Sequence, residues 1–189
     1  MGEPSGVNQS ISPWKSVWKL GVVGKVKFFI WKAISNLLPT KGNLYKKKSA
    51  ENPLCPVCNK VEETVLHGLW ECVAAREVWG ERDSQVSKSG KVFENFADLW
   101  MEFSSKLDER GLELVSVICY RLWLRRNDLI FRNFFCGPKH LIKAACTDIT
   151  DFSMAIVEPK EGEIQVHLQS KEGKAETNIA YGNLHLEQG

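Results

Sequence analysis

No stretch of this chain approaches the eighteen or so uncharged apolar residues that a membrane span needs, and the opening MGEPSGVNQSIS has no basic-then-apolar signal pattern. A membrane partner is therefore not expected. The sequence reads as that of an intracellular protein, with nucleus and cytoplasm left open. It also lacks a Tyr-x-Asp-Asp segment, any other obvious paired-aspartate arrangement that would hold two catalytic metals, and an endonuclease-like set of acids and histidines. Histidine is scarce, with four in 189 residues, and His167 and His185 sit in a polar tail without a paired acid or thiol. A nucleophile, base and orienter cannot be assembled, so no catalytic residue is assigned and the chain is read as a non-enzyme.

Acid is scarce in one place only. Residues 1–50 carry nine lysines against a single acid, Glu3, a local charge of +8, whereas the remainder carries −6 and the whole chain +2. A basic arm of this kind fits a polyanion, because each phosphate neutralised releases a counterion. Lys25, Lys27, Lys32, Lys46, Lys47 and Lys48 are the candidate nucleic-acid contacts. The competing reading is a solvated lysine face that keeps helices soluble.

Six cysteines in a chain without an export signal argue for metal and free thiols rather than disulfides. Four residues carry the chemistry. Cys55, Cys58, His67 and Cys72 follow C-x2-C-x8-H-x4-C, three thiolates and one imidazole within eighteen residues. This is a closed tetrahedral set for Zn2+, and a site with no open position has no room for an activated water, so the metal is structural. Pro53 and Pro56 favour the tight turn that lets the first two sulfurs face one ion. Cys136, His140 and Cys146 are one ligand short of a second site, so Cys136 and Cys146 read as ordinary buried cysteines, and Cys119 lies in an apolar helical stretch as core.

The remaining pattern is helical. Trp14 and Trp18 are one turn apart, and Val22, Val26, Phe29, Ile30, Ala33 and Leu37 recur at helical spacing up to Pro39. Thr40 is placed to cap a short helix through Leu44 to Lys48. Five residues of ordinary α-helix would turn Cys72 about 140° from His67. The expectation is therefore a helix over 62–69, a break at Trp70 and Glu71, and a new helix opened by Cys72. Two further helices hold Phe93 to Phe103 and Leu112 to Ile130, with Gly111 as the break, and Pro138 starts a last one through Phe152. From Glu158 the chain is polar and reads as a disordered tail, with one brief alternation at Ile164, Val166 and Leu168.

The expected fold class is mainly α: a small helical domain with a Cys3His zinc-stapled loop and a disordered C-terminal tail. Its expected parts are a flexible N-terminus (1–13), a zinc-binding module (14–84), a helical extension (85–157) and the tail (158–189). Most tryptophans read as core, with Trp70, beside the zinc loop, as the candidate for stacking a base. Arg121, Arg125, Arg126 and Arg132 form a second basic cluster, with Arg121, Arg125 and Arg126 as candidate nucleic-acid contacts, in which phosphate binding competes with ion pairing to Asp128 or to acids on other helices.

Three blocks, KVKFFIWKAISNLLPTKGNL, CPVCNKVEETVLHGLWECVAAREVW and ICYRLWLRRNDLIFRN, occur in this order. From Trp14 to Asn133 the chain resembles the zinc-binding region downstream of the reverse transcriptase in plant non-LTR (LINE-type) retrotransposons. The resemblance rests on Phe29 and Trp31, Leu38-Pro39-Thr40, the four ligands, Glu63-Thr64, Val78-Trp79, Trp123, Arg126-Asn127 and Phe131. It implies a piece of a larger polyprotein, or a gene derived from one, that binds RNA or RNA/DNA intermediates. A zinc-dependent adapter for a protein partner, or an inactive relic, are the alternatives.

Overall fold

The computed structural model describes residues 13–84, 86 and 91–157. The expected flexible N-terminus up to residue 12, the tail from residue 158 with its brief alternation, and most of the polar stretch after Ser84 lie outside the described residues.

Helices carry the fold. Among the described residues they are α1 (Pro13–Lys19), α2 (Gly24–Ile34), α3 (Lys41–Lys46), α4 (Val73–Trp79), α5 (Phe96–Lys106), α6 (Glu109–Arg132) and α7 (Pro138–Val157). A π-helical turn, His67–Glu71, precedes α4, and a 3-10 turn, Arg82–Ser84, follows it. Extended pairing among the described residues is confined to one antiparallel bridge between Leu54 and Glu62. No helix of the described residues is long and apolar enough to cross a membrane. The described residues up to Ser153 form one compact unit, and the last turn of α7, from Met154, groups apart from it.

The helix boundaries follow from local chemistry. α2 buries Val26, Phe29, Ile30 and Ala33, the i, i+3, i+4, i+7 stripe. It stops at Ile34, short of the expected Leu37, because Asn36 takes a left-handed conformation at φ 53°. The Leu37 N–H then donates to the Lys32 carbonyl at 2.8 Å and the Asn36 N–H to Ala33 at 3.1 Å, a Schellman ending that satisfies otherwise orphaned carbonyls. Thr40 caps α3 as expected, its Oγ1 accepting from the Asn43 N–H at 3.1 Å.

Gly111 is not a helix break. It lies inside α6, whose start is set by Asp108: the carboxylate accepts from the Gly111 N–H at 2.8 Å. A side-chain cap outranks glycine's weak helix propensity here, since it satisfies a donor that the first turn leaves unpaired.

α6 is the central element. Its first half buries Leu112, Leu114, Val115, Val117, Ile118 and Cys119, so residues on several sides of the helix meet protein. α2 and the π-turn pack on it, while α1, α2 and α5 pack on one another. Fully buried Trp100 donates its indole N–H to Ser16 Oγ at 3.1 Å, joining α5 to α1 without leaving its own donor unsatisfied. Leu141, Ile142 and Ala145 of α7 complete the core.

Candidate metal centre

Two short devices bring the four donors together. In the first, the Cys55 N–H donates to the Val61 carbonyl and the Asn59 N–H to the Cys55 carbonyl, each at 2.8 Å. Asn59 turns the chain through a left-handed conformation at φ 53°, which asparagine tolerates better than most residues. This loop presents Cys55 and Cys58 to one point.

The second device corrects the expected break at Trp70 and Glu71. The chain does not leave the helix there; it widens. The Cys72 N–H donates to the His67 carbonyl at 2.8 Å, an i to i+5 bond, and this π-turn brings two ligands five residues apart to one side. Thr64 Oγ1 accepts from the His67 N–H at 2.9 Å and caps the start. Cys72 then opens α4, as its position predicts.

The four donor atoms lie within 4.8 Å of one another, with Cys55 Sγ 4.0 Å from Cys72 Sγ and Cys58 Sγ 3.4 Å from His67 Nε2. Zn–S bonds of about 2.3 Å and Zn–N bonds of about 2.0 Å separate tetrahedral donors by roughly 3.6–3.8 Å, so the residues fit zinc. Cys55 and Cys72 are buried, which closes the site further. The metal's role is structural.

The electrostatics of the donors suit a cation. The Cys72 thiol is pushed down to about 3, chiefly by the hydrogen bond from Cys55, then by His67 and the Ala74 N–H, against the effect of burial. Cys55 is pushed up by that same hydrogen bond and by burial, and His67 is pushed up by its contact with the Cys72 thiolate. For Cys58, burial acts upward, but N–H donors from Lys60 and the His67 ring outweigh it and lower the thiol. A metal entering this set replaces protons shared among the donors.

Glu63 joins the centre to the rest of the unit, a role that sequence reasoning missed. It is 1% exposed, and its carboxylate receives two hydrogen bonds from Arg126, at 2.8 and 2.7 Å, and one from the Lys41 N–H at 2.6 Å. Its own backbone bonds Pro53 and Gly42, at 2.8 and 3.2 Å. One acid thus ties α3, the zinc loop and α6.

The arginine cluster resolves toward internal pairing. Arg121 is held bidentately by Asp148 of α7, Arg126 by Glu63, and Arg125 is buried with one N–H donating to the Ala74 carbonyl at 3.1 Å. None of the three presents a free guanidinium to a phosphate. Trp70 is corrected as well: it is 7% exposed and packs on Trp79 and Phe103 at ring separations of 5.4 and 5.5 Å, so no base can reach its face. Lys25, Lys46, Lys47 and Lys48 are exposed and Lys27 and Lys32 partly so; Lys46 pairs with Glu62 at 3.1 Å.

Residues 5–79 match the family model for zinc-binding in reverse transcriptase, a span that contains all four donors. Over this span the chain is similar to the zinc-binding region of reverse transcriptases. The matched span closes at the end of α4, and α5 to α7 follow it in the chain. Over 119 residues the chain is 27% identical to a protein of Arabidopsis thaliana named as a putative ribonuclease H protein. That match covers 61% of this chain but 19% of the relative. No solved structure matches the chain. The match agrees with the retrotransposon resemblance carried by the motif blocks, and what it identifies is the zinc-binding accessory region of reverse transcriptase.

Proposed function

We propose that this domain binds single-stranded nucleic acid, RNA or the RNA/DNA intermediates of retroelement copying, and catalyses no reaction itself. The observation that carries this reading is the solvent face of α2. At about 100° per residue, Phe28 and Trp31 occupy the middle of that face, with Lys27 on one flank and Lys25 and Lys32 on the other. Phe28 is 48% exposed and stacks on Trp31 with ring centroids 5.3 Å apart. Trp18 of α1, 53% exposed, adjoins it, its carbonyl accepting from Lys27 Nζ at 3.3 Å.

Among the described residues no carboxylate pairs with Lys25, Lys27 or Lys32; the Lys32 ammonium instead lies 4.7 Å from the Phe28 ring. Exposed aromatics interleaved with lysines that lack an acid partner are what a single strand recognises, bases on the rings and phosphates on the ammonium groups. Stacking moves from the expected Trp70 to Phe28, Trp31 and Trp18. The zinc centre braces α6, on which α2 packs.

The test is a salt titration of the zinc-loaded protein against single-stranded RNA, followed by anisotropy. The expected result is binding that weakens as salt rises. Changing Lys25, Lys27 and Lys32 to alanine should flatten the logarithmic slope by about 2, at roughly 0.7 per phosphate. Phe28→Ala should cost about 1–3 kcal/mol with little change in slope. A folded, metal-replete protein that binds no strand overturns the reading. The adapter alternative draws support from Phe131 and Phe134 beyond the arginine cluster, 78% and 59% exposed, and predicts capture of a protein partner with little salt dependence.

A further inference from the structure

Three arginines lie within six residues of α6, and two are matched by carboxylates. Arg121 meets Asp148 and Arg126 meets Glu63. Arg125, between them, meets none among the described residues. Its side chain is 4% exposed; one N–H donates to the Ala74 carbonyl, and the guanidinium carbon stands 3.7 Å from the centre of the Phe135 ring. Its Nε is buried without a hydrogen-bond partner. A buried, always-charged group with a spare donor is stabilised by a nearby counter-charge, since bulk solvent screens it poorly.

Two anionic features line the pocket beside it, Glu63, which Arg126 already matches, and the thiolates of the metal centre. Cys55, Cys72 and Arg125 line one pocket, with Ala74 and Phe135 on its walls. Zn2+ bound by three thiolates and one neutral imidazole carries a net charge of −1, equal and opposite to the guanidinium. Glu77, a carboxylate that also acts on the guanidinium, is exposed and forms no ion pair among the described residues.

We infer that Arg125 is the counter-ion of the zinc–thiolate centre, its Nε–H being the donor available to a metal-bound thiolate. The residue lies outside the matched span 5–79 and holds no metal itself. It is a positioning residue with two effects. Its positive charge lowers the nucleophilicity of the thiolates toward electrophiles and favours retention of the metal. It also couples metal occupancy to the docking of α6, since an empty centre leaves a buried cation facing thiols.

The experiment compares zinc-loaded wild type with Arg125→Met, Arg125→Lys and Glu77→Gln. Chelator competition reads zinc affinity, N-ethylmaleimide-driven zinc release reads thiolate reactivity, and the Co2+-substituted proteins read the sulfur-to-metal charge-transfer bands. Arg125→Met should bind zinc about 10–100-fold more weakly, the usual range for an outer-shell partner, with faster release and shifted bands at unchanged helicity. Arg125→Lys should recover part of each effect, and Glu77→Gln should show none. Unchanged affinity, release and bands in a folded Arg125→Met protein overturn the inference, as does a Glu77→Gln protein that reproduces the loss. Independently of any variant's folding, the 113Cd-loaded wild type should show scalar coupling between the metal and the Arg125 Nε–H; a resolved resonance without coupling overturns it too.

Discussion

Arg126 grips Glu63 across 63 positions of sequence through two parallel hydrogen bonds of 2.8 and 2.7 Å, with the acid 1% and the arginine 8% exposed. The pair joins two motif blocks that look independent in the sequence, and the Trp123 ring, 4.8 Å from the guanidinium, covers one side of it. It gives the contact between the zinc loop and α6 a fixed register that apolar packing alone would leave looser.

Removing one partner of such a pair leaves an uncompensated buried charge. Arg126→Met should lower unfolding free energy by about 3–5 kcal/mol, and joint replacement of Arg126 and Glu63 by apolar residues of similar size should cost less than that single change. Urea unfolding of the zinc-loaded proteins decides this. A double variant no more stable than Arg126→Met would contradict it.

Metal removal should be felt beyond the loop. Zinc at a structural site of this type is worth about 10–16 kcal/mol, comparable to the whole stability of a domain. Chelation, or Cys72→Ala, should therefore abolish the π-turn and release Trp79, whose indole N–H is held by the Leu69 carbonyl at 2.8 Å. The expected signals are lost far-UV ellipticity and red-shifted tryptophan emission, both restored by zinc in the wild type only.

Two glycines give opposite expectations. A Cβ on Gly42 would stand 2.8 Å from the Glu63 carbonyl oxygen and 2.7 Å from Glu62 Oε1, so Gly42→Ala must push α3 off the zinc loop and should cost about 1–3 kcal/mol. Nothing lies within 4 Å of the same position on Gly24, where alanine in the first turn of α2 should be neutral or stabilise by up to about 1 kcal/mol. Thermal melts of the two variants separate steric from conformational effects.

Cysteine labelling should follow burial. Cys146 is exposed and Cys136 half-buried, against the buried places expected for them, whereas Cys119 is fully buried, with its thiol pushed up by desolvation. Iodoacetamide under native conditions should modify Cys146 and leave Cys119 untouched until the protein unfolds. Mass spectrometry locates the adducts, and early labelling of Cys119 would show that α6 is not a packed centre.

The metal centre is legible in the chain itself because ligand chemistry is local: four donors within eighteen residues can meet around one ion by turns that prolines, Asn59 and Thr64 encode nearby. Most helices are legible for the same reason, since a stripe repeating every three to four residues needs no distant partner to be recognised. Where one local signal competes with another, legibility falls. Gly111 resembles a break unless the Asp108 cap is weighed against it, and an i+5 ligand spacing resembles a helix end although a π-turn serves it better.

What sequence alone determined, then, is the donor set, the helical class and the concentration of lysine in the first fifty residues. Tertiary structure decided which charges are free. Arg121, Arg125 and Arg126 are indistinguishable from phosphate ligands until Asp148, Glu63 and the thiolate-lined pocket come beside them. Trp70 becomes core and Phe28 surface only when α5 and α6 are packed. The physical reason is that burial and ion pairing depend on residues far apart in the chain, whereas helix periodicity and metal-ligand spacing depend on neighbours.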